Sequence, residues 1–256
     1  MILRRVIEHV RTQNWTDVAL DFVIVVVGVF MGIQLGNWND ARGDRAEEIR
    51  YLRALAADMD ASRQFAEEQM AFIDKQTSAQ KRLAAISVGD GLPISRADLD
   101  VLVHRGVFEL YVAPRRLATF NELKNTGKLA LIGDPGLRAG LQDLEAALER
   151  LDEYERDATQ QYISFSDPFL VNHYDMRGVV SQPPSQTGND AINWLAPPEN
   201  VEANIAALQT DAFRNIVLFR ASVDSGVRTH LEGVRSKYEE VSTLIDTRLD
   251  KLEPTE

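Results

Sequence analysis

A chain of 256 residues, 45% hydrophobic and 26% charged, can build one sizeable domain and is too apolar for global disorder. Its net charge of −11 falls mainly after residue 40: residues 1–40 hold three Arg and four acids, which leaves 25 basic and 35 acidic residues for the rest. So acidic a domain repels nucleic-acid phosphates, and no basic stripe with interleaved aromatics offsets it, so nucleic acid is not an expected partner. The absence of Cys excludes disulfides and thiolate zinc sites.

In residues 1–15, Ile2, Leu3, Val6, Ile7 and Val10 alternate at helical spacing with Arg4, Arg5, Glu8 and Arg11. That pattern suits an amphipathic segment lying along a membrane surface. Residues 16–38 read as a transmembrane helix, strongest from Val18 to Gly36. Phe22 to Asn39 is 18 residues without a charge, close to the ~20 needed to span a bilayer. Asp21 lies near the interface, where its insertion cost is small, and Trp15 and Trp38 bracket the run as interfacial aromatics do. Gly36 to Asp40 offers no small-x-small cleavage site, which favours an uncleaved anchor over a signal peptide.

Gly28, Gly32 and Gly36 form two overlapping GxxxG patterns, and Asp21 shares their face. Such a stripe lets a second helix approach closely, and a charge on it faces a partner or water rather than lipid. The expected partners are therefore the lipid bilayer and either a second copy or another membrane protein. Arg4, Arg5 and Arg11 precede the span and Arg42, Arg45, Arg50 and Arg53 follow it, so positive charge alone does not orient it. The acidic, Cys-free domain favours the N-terminus in the cytoplasm and the domain outside.

Residues 39–256 read as a soluble helical bundle. Asp44 to Ser87 is rich in helix formers, with Ile49, Leu52, Leu55, Met59, Ala66, Met70 and Ile73 at helical spacing. The membrane helix can run straight into this one, whose 44 residues make it ~65 Å long. Gly89 to Pro93 ends it. Ser95 as N-cap, with Asp98 three residues on and an Ile94–Leu99 staple, opens a helix to about Tyr111. Thr119 and Glu122 repeat the capping-box spacing for a short helix closed by Gly127. Lys128 to Ile132 suits a short extended piece or a buried turn. Asp134-Pro135 starts a helix that runs through Leu137, Leu141, Leu144, Leu148, Leu151 and Tyr154 to about Ile163.

Residues 178–198 collect Pro, Gly, Ser and Asn and read as a flexible or binding loop. A short helix at 199–208 follows, then a long one over 211–252. The long one carries Phe213, Ile216, Val223, Val227, Leu231, Val234, Tyr238, Val241, Ile245 and Leu252 on one stripe close to a heptad seam. Its length matches the Asp44–Ser87 helix, so it can return beside it. The expected fold is mostly α: a transmembrane helix followed by an elongated antiparallel bundle.

Chemistry is sparse. The four His (His9, His104, His173, His230) form no His-x-x-x-His pair and follow no Glu by three residues, which removes helical zinc and di-iron signatures. His104 and His230 have apolar helical surroundings and read as core or boundary residues. Asp167, His173 and Asp175 are the densest polar cluster on irregular chain and the weak candidate for a site. Gly-x-Ser-x-Gly, phosphate-loop and dinucleotide patterns are absent. No cofactor, metal or catalytic residue is expected; a small-molecule ligand is left open.

Two stretches carry a resemblance. One runs from Asn14-Trp15 through Val26-Val27-Gly28-Val29-Phe30 and Gln34 to Asn37-Trp38-Asn39-Asp40-Ala41-Arg42. The other is Phe120-Asn121-Glu122-Leu123-Lys124-Asn125-Thr126-Gly127-Lys128-Leu129 through Ile132, with Pro135, Leu137-Arg138 and Leu141. Together they cover about a quarter of the chain. They resemble a bacterial single-pass membrane family catalogued as a domain of unknown function. The resemblance implies a bacterial source and a membrane anchor, and brings no catalytic residues.

From the residues themselves, the leading expectation is a membrane-anchored helical interaction or scaffold protein, oligomeric or an accessory subunit of a membrane complex. The alternatives are an extracytoplasmic helical module that senses a small ligand, and an enzyme with an unrecognised site.

Overall fold

The computed structural model describes residues 15–110, 112, 114–115, 117–182, 195–196 and 201–253, with side chains for all of these except 15–19 and 21. Every regular element among them is helical, so the chain is mostly α. It divides into two compact units, Met1–Tyr51 and Leu52–Glu256. The surface-lying segment expected at 1–15 falls almost wholly outside the described residues, as does most of the loop expected at 178–198.

Helix α1, Trp15–Ser87, is unbroken. No Pro interrupts it, and Gly89 and Gly91, both at positive φ, end it. From Phe22 to Ala46 every residue of it is exposed: Phe22, Val25, Phe30, Met31 and Leu35 are each at least 60% exposed. It is long and apolar enough to cross a membrane, and none of its apolar window is buried in this chain. Arg42 lies over the Trp38 ring.

In the second unit, α2 (Arg96–Val103) starts at the Ser95 N-cap, whose hydroxyl accepts from the Asp98 N–H. It widens into a π-helical turn, His104–Phe108, earlier than the end expected near Tyr111. Helix α3 (Ala118–Asn125) opens otherwise than the capping box predicts. Thr119 lies inside it, and its N–H donates to the Asp58 carboxylate of α1 at 2.8 Å. The orphan donor of a helix start is thus satisfied from 61 residues away. Gly127, left-handed, closes α3, and a 3-10 turn, Lys128–Leu131, leads to buried Ile132. Asp134 caps α4 (Pro135–Gln161), with Pro at its first turn. A π-helical turn, Tyr162–Ser166, joins α4 to α5 (Asp167–His173). The short α6 (Arg177–Val180) and α7 (Glu202–Leu208) precede α8 (Asp211–Leu252), capped by Thr210.

Three helices supply buried residues that recur at steps of three and four. On α1 these positions run from Leu52 through Met59, Ala66, Ile73 and Gln80 to Ser87; on α4 from Leu137 to Ala158; on α8 from Phe213 to Ile245. Polar contacts link α1 to the C-terminal part of the chain. Arg53 pairs with Glu253 at 2.7 Å, Asp74 with Arg228 at 2.7 Å, and Arg214 donates to the Ser87 carbonyl at 3.0 Å. At one end the seam joins an apolar cluster of the end of α1 (Leu83, Ile86), α2 (Leu99, Val103), α5 (Phe169, Leu170) and the start of α8 (Phe213, Val217).

Candidate functional site

Among the described residues four places have unusual chemistry. The first is the glycine stripe of α1. A Cβ built on Gly28, Gly32 or Gly36 would meet nothing within 4 Å. Each Gly inside a helix costs about 1 kcal/mol relative to Ala, and among the described residues no contact of a Cβ there offsets that cost. Asp21 shares the stripe by sequence; its side chain lies outside the described ones.

The second is the polar cluster expected at Asp167, His173 and Asp175, which the structure separates. Asp167 accepts a long hydrogen bond from the Tyr162 hydroxyl, 3.4 Å. The His173 ring lies against Phe169, 5.0 Å between centroids, and lines a surface groove. Asp175 turns to other partners: Arg177 Nη2 at 2.6 Å and Arg96 at 3.8 Å. The Arg177 hydrogen bond holds its carboxyl below the usual range. Arg96 also pairs with buried Asp100 at 2.6 Å, and the Tyr174 hydroxyl donates to Asp100 at 2.8 Å. These bonds tie the segment after α5 to α2. The three residues form no common site because Tyr174 leaves the helix in extended backbone, and that bend sends His173 and Asp175 to different neighbours.

The third is the groove itself, about 820 Å³, between the π-helical turn after α4, α5 and the first turns of α8. Phe165, Pro168, Phe169, Ile216, Leu218 and Phe219 give it apolar walls, with Asn172, His173 and Asn215 among its polar residues. Phe165 and Phe219 meet edge-to-face at 6.0 Å and are about half exposed, 54% and 46%.

The fourth is a polar layer in the buried seam. Arg220 and Asp224 of α8 occupy successive seam positions where the apolar pattern suggested Ile216 and Val223, which are only half-buried. Arg220 Nε donates to Asp224 at 3.2 Å and its Nη2 to the Glu109 carbonyl at 3.2 Å; its guanidinium also lies over the Tyr162 ring. Gln80 donates to Asp224 at 2.6 Å, and Gln76 to the Glu109 carbonyl at 2.9 Å. Gln69 donates to Glu155 at 2.8 Å, which also pairs with Arg115 at 2.5 Å. Burial pushes the Asp224 carboxyl up against the opposing pull of Arg220 and Gln80, and pushes the Tyr162 hydroxyl up to about 12. Arg220 Nη1, Gln80 Oε1 and Gln161 Oε1 are buried without a hydrogen-bond partner.

His104, read as a core or boundary residue, is buried. Its Nδ1 lies 3.0 Å from the Val179 carbonyl, and its Nε2 is 3.8 Å from the Glu109 carboxylate. His230 is half-buried and stacks on Tyr154 at 3.8 Å. Among the described residues no group of His, Asp and Glu is arranged to hold a metal ion.

A reading confined to apolar periodicity misses the polar layer. The signal was present: continuing the three-and-four step from Phe213 through Val217 lands on Arg220 and Asp224. Continuing it along α1 lands on Gln69, Gln76 and Gln80. Compared with family models, curated proteins and solved structures, the chain matches none.

Proposed function

We propose that the protein is a membrane-anchored helical interaction protein, an oligomer or an accessory subunit of a membrane complex, that works by binding rather than catalysis. The N-terminal part of α1 crosses a bacterial inner membrane, and the rest of the chain forms an elongated antiparallel bundle on the periplasmic side. The observation that carries this reading is the stripe of Gly28, Gly32 and Gly36, where a Cβ would meet nothing among the described residues. Small residues on a membrane helix let a second backbone approach to packing distance. The resemblance of residues 14–42 and 120–141 to a single-pass bacterial family supports the anchor and its source. The opposite-order pairs Arg53–Glu253 and Asp74–Arg228 support the antiparallel bundle.

The test is crosslinking in intact bacteria whose outer membrane has been permeabilised, with an amine reagent that cannot cross the inner membrane. The wild-type chain is captured as an oligomer or with a partner protein, and Gly28→Leu with Gly32→Leu loses most of that product. Unchanged capture in the variant rules out the glycine stripe as the contact. Capture only after lysis places the bundle in the cytoplasm.

The groove beside α5 favours a second reading, a periplasmic module that senses a small ligand. An apolar recess of about 820 Å³ is within the range of small-molecule sites.

A further inference from the structure

The groove has something behind it. Phe165, Ile216 and Phe219 line both the groove and a small, partly open space of about 10 Å³, whose other walls include Gln161, Tyr162 and Arg220. Arg220 is 5% exposed, yet its Nη1 has no acceptor, and Gln161 Oε1 has no donor. Burying such atoms unpaired is costly, and a space of this size holds about one water at most. Two residues that line the space thus carry between them an N–H that needs an acceptor and a carbonyl oxygen that needs a donor. The wall on the groove side is the pair of half-exposed phenyl rings, and exposed side chains change rotamer readily.

We propose that the groove binds a neutral amphiphile: an apolar, aryl-sized body between Phe165, Phe169 and Phe219, ending in a hydroxyl or primary amide that passes the Phe165–Phe219 pair. That end accepts from Arg220 Nη1 and donates to Gln161 Oε1. A hydroxyl or an amide satisfies both atoms at once. A carboxylate satisfies only the first. It also places a second negative charge beside a guanidinium already paired with Asp224 at 3.2 Å, in surroundings where burial already disfavours the Asp224 charge. Neutral ends are therefore selected over acidic ones. This inference rests on the ligand-sensing reading and adds the chemistry of the ligand to it.

The probes are four molecules sharing one body: 4-phenylbutanol, 4-phenylbutanamide, 4-phenylbutyrate and butylbenzene. Each is titrated into the full-length protein in lipid nanodiscs, with empty nanodiscs subtracted, and followed by ligand-observed NMR. The alcohol and the amide bind at least tenfold more tightly than the carboxylate and butylbenzene. Gln161→Leu, which removes the carbonyl acceptor, brings the alcohol down to the level of butylbenzene while leaving butylbenzene and the thermal midpoint unchanged. Equal binding of all four overturns the hydrogen-bonded end but leaves the groove as an apolar ligand site. Preference for the carboxylate overturns the neutral class. Binding of none overturns both this inference and the sensing reading.

Discussion

Gly178 lies so close to Asp100 that a Cβ on it would stand 1.8 Å from the Asp100 Oδ2. The contact sits where Asp100 gathers the Tyr174 hydroxyl and Arg96 and so fastens the segment after α5 to α2. Gly178→Ala must push that carboxylate aside, and both bonds go with it. The expected loss is about 3 kcal/mol, from overpacking plus buried polar groups left unpaired, read as a lower midpoint in urea unfolding. Shortening the displaced side chain gives the check: Asp100→Ala combined with Gly178→Ala costs less than the sum of the two single changes. An unchanged midpoint in Gly178→Ala would show that the backbone yields freely there.

The Arg220–Asp224 pair predicts a non-additive pattern. Removing one member of a buried pair strands the other charge, which costs about 3–5 kcal/mol. Arg220→Leu and Asp224→Leu are each expected to destabilise the domain by about that amount, whereas the double variant recovers most of the loss. Urea denaturation of all three measures the coupling. Additive losses would mean that the two side chains contribute through separate contacts, Arg220 through the Glu109 carbonyl and Asp224 through Gln80.

His104 sets a pH dependence. Burial lowers its pKa below 6.5; Arg105 adds to that, and the Glu109 charge and the Val179 carbonyl oppose it. A depressed folded-state pKa means that the unfolded chain takes up the proton first. The stability contributed by neutral His104 is therefore full above pH 6.5 and is lost as pH falls from there through the folded value. Thermal unfolding between pH 7.5 and 5 should show a falling midpoint in the wild type and a shallower fall in His104→Gln. Asp224, with its raised pKa, acts in the opposite sense: its contribution is present below its unfolded value and lost as pH rises through its folded one. Parallel curves for wild type and His104→Gln would remove His104 as the source of the slope.

Local chemistry wrote much of this fold into the sequence. Ser95, Asp134 and Gly127 mark helix ends through bonds to their own neighbours and through a left-handed turn, so a sequence read in windows of a few residues finds them. The unbroken apolar run from Phe22 and the stripe of Gly28, Gly32 and Gly36 depend only on composition and helical period. The same period placed Leu231, Val234, Tyr238, Val241 and Ile245 on a buried seam.

What the tertiary structure decided is which residues from distant stretches meet. Asp58 caps α3 from 61 residues away, and a capping-box pattern at Thr119 has no means of signalling it. Asp175 and His173, two positions apart, part company because each is drawn to a different helix. Arg220 and Asp224 look like ordinary surface charges until α1 brings Gln76 and Gln80 against the same layer. The groove likewise exists only where the π-helical turn after α4 sets Phe165 against Phe219 of α8. Helical period and end-caps arise from bonds that span three or four residues, so sequence alone determines them. Burial and pairing arise from surfaces that meet only when the helices dock, and are settled there.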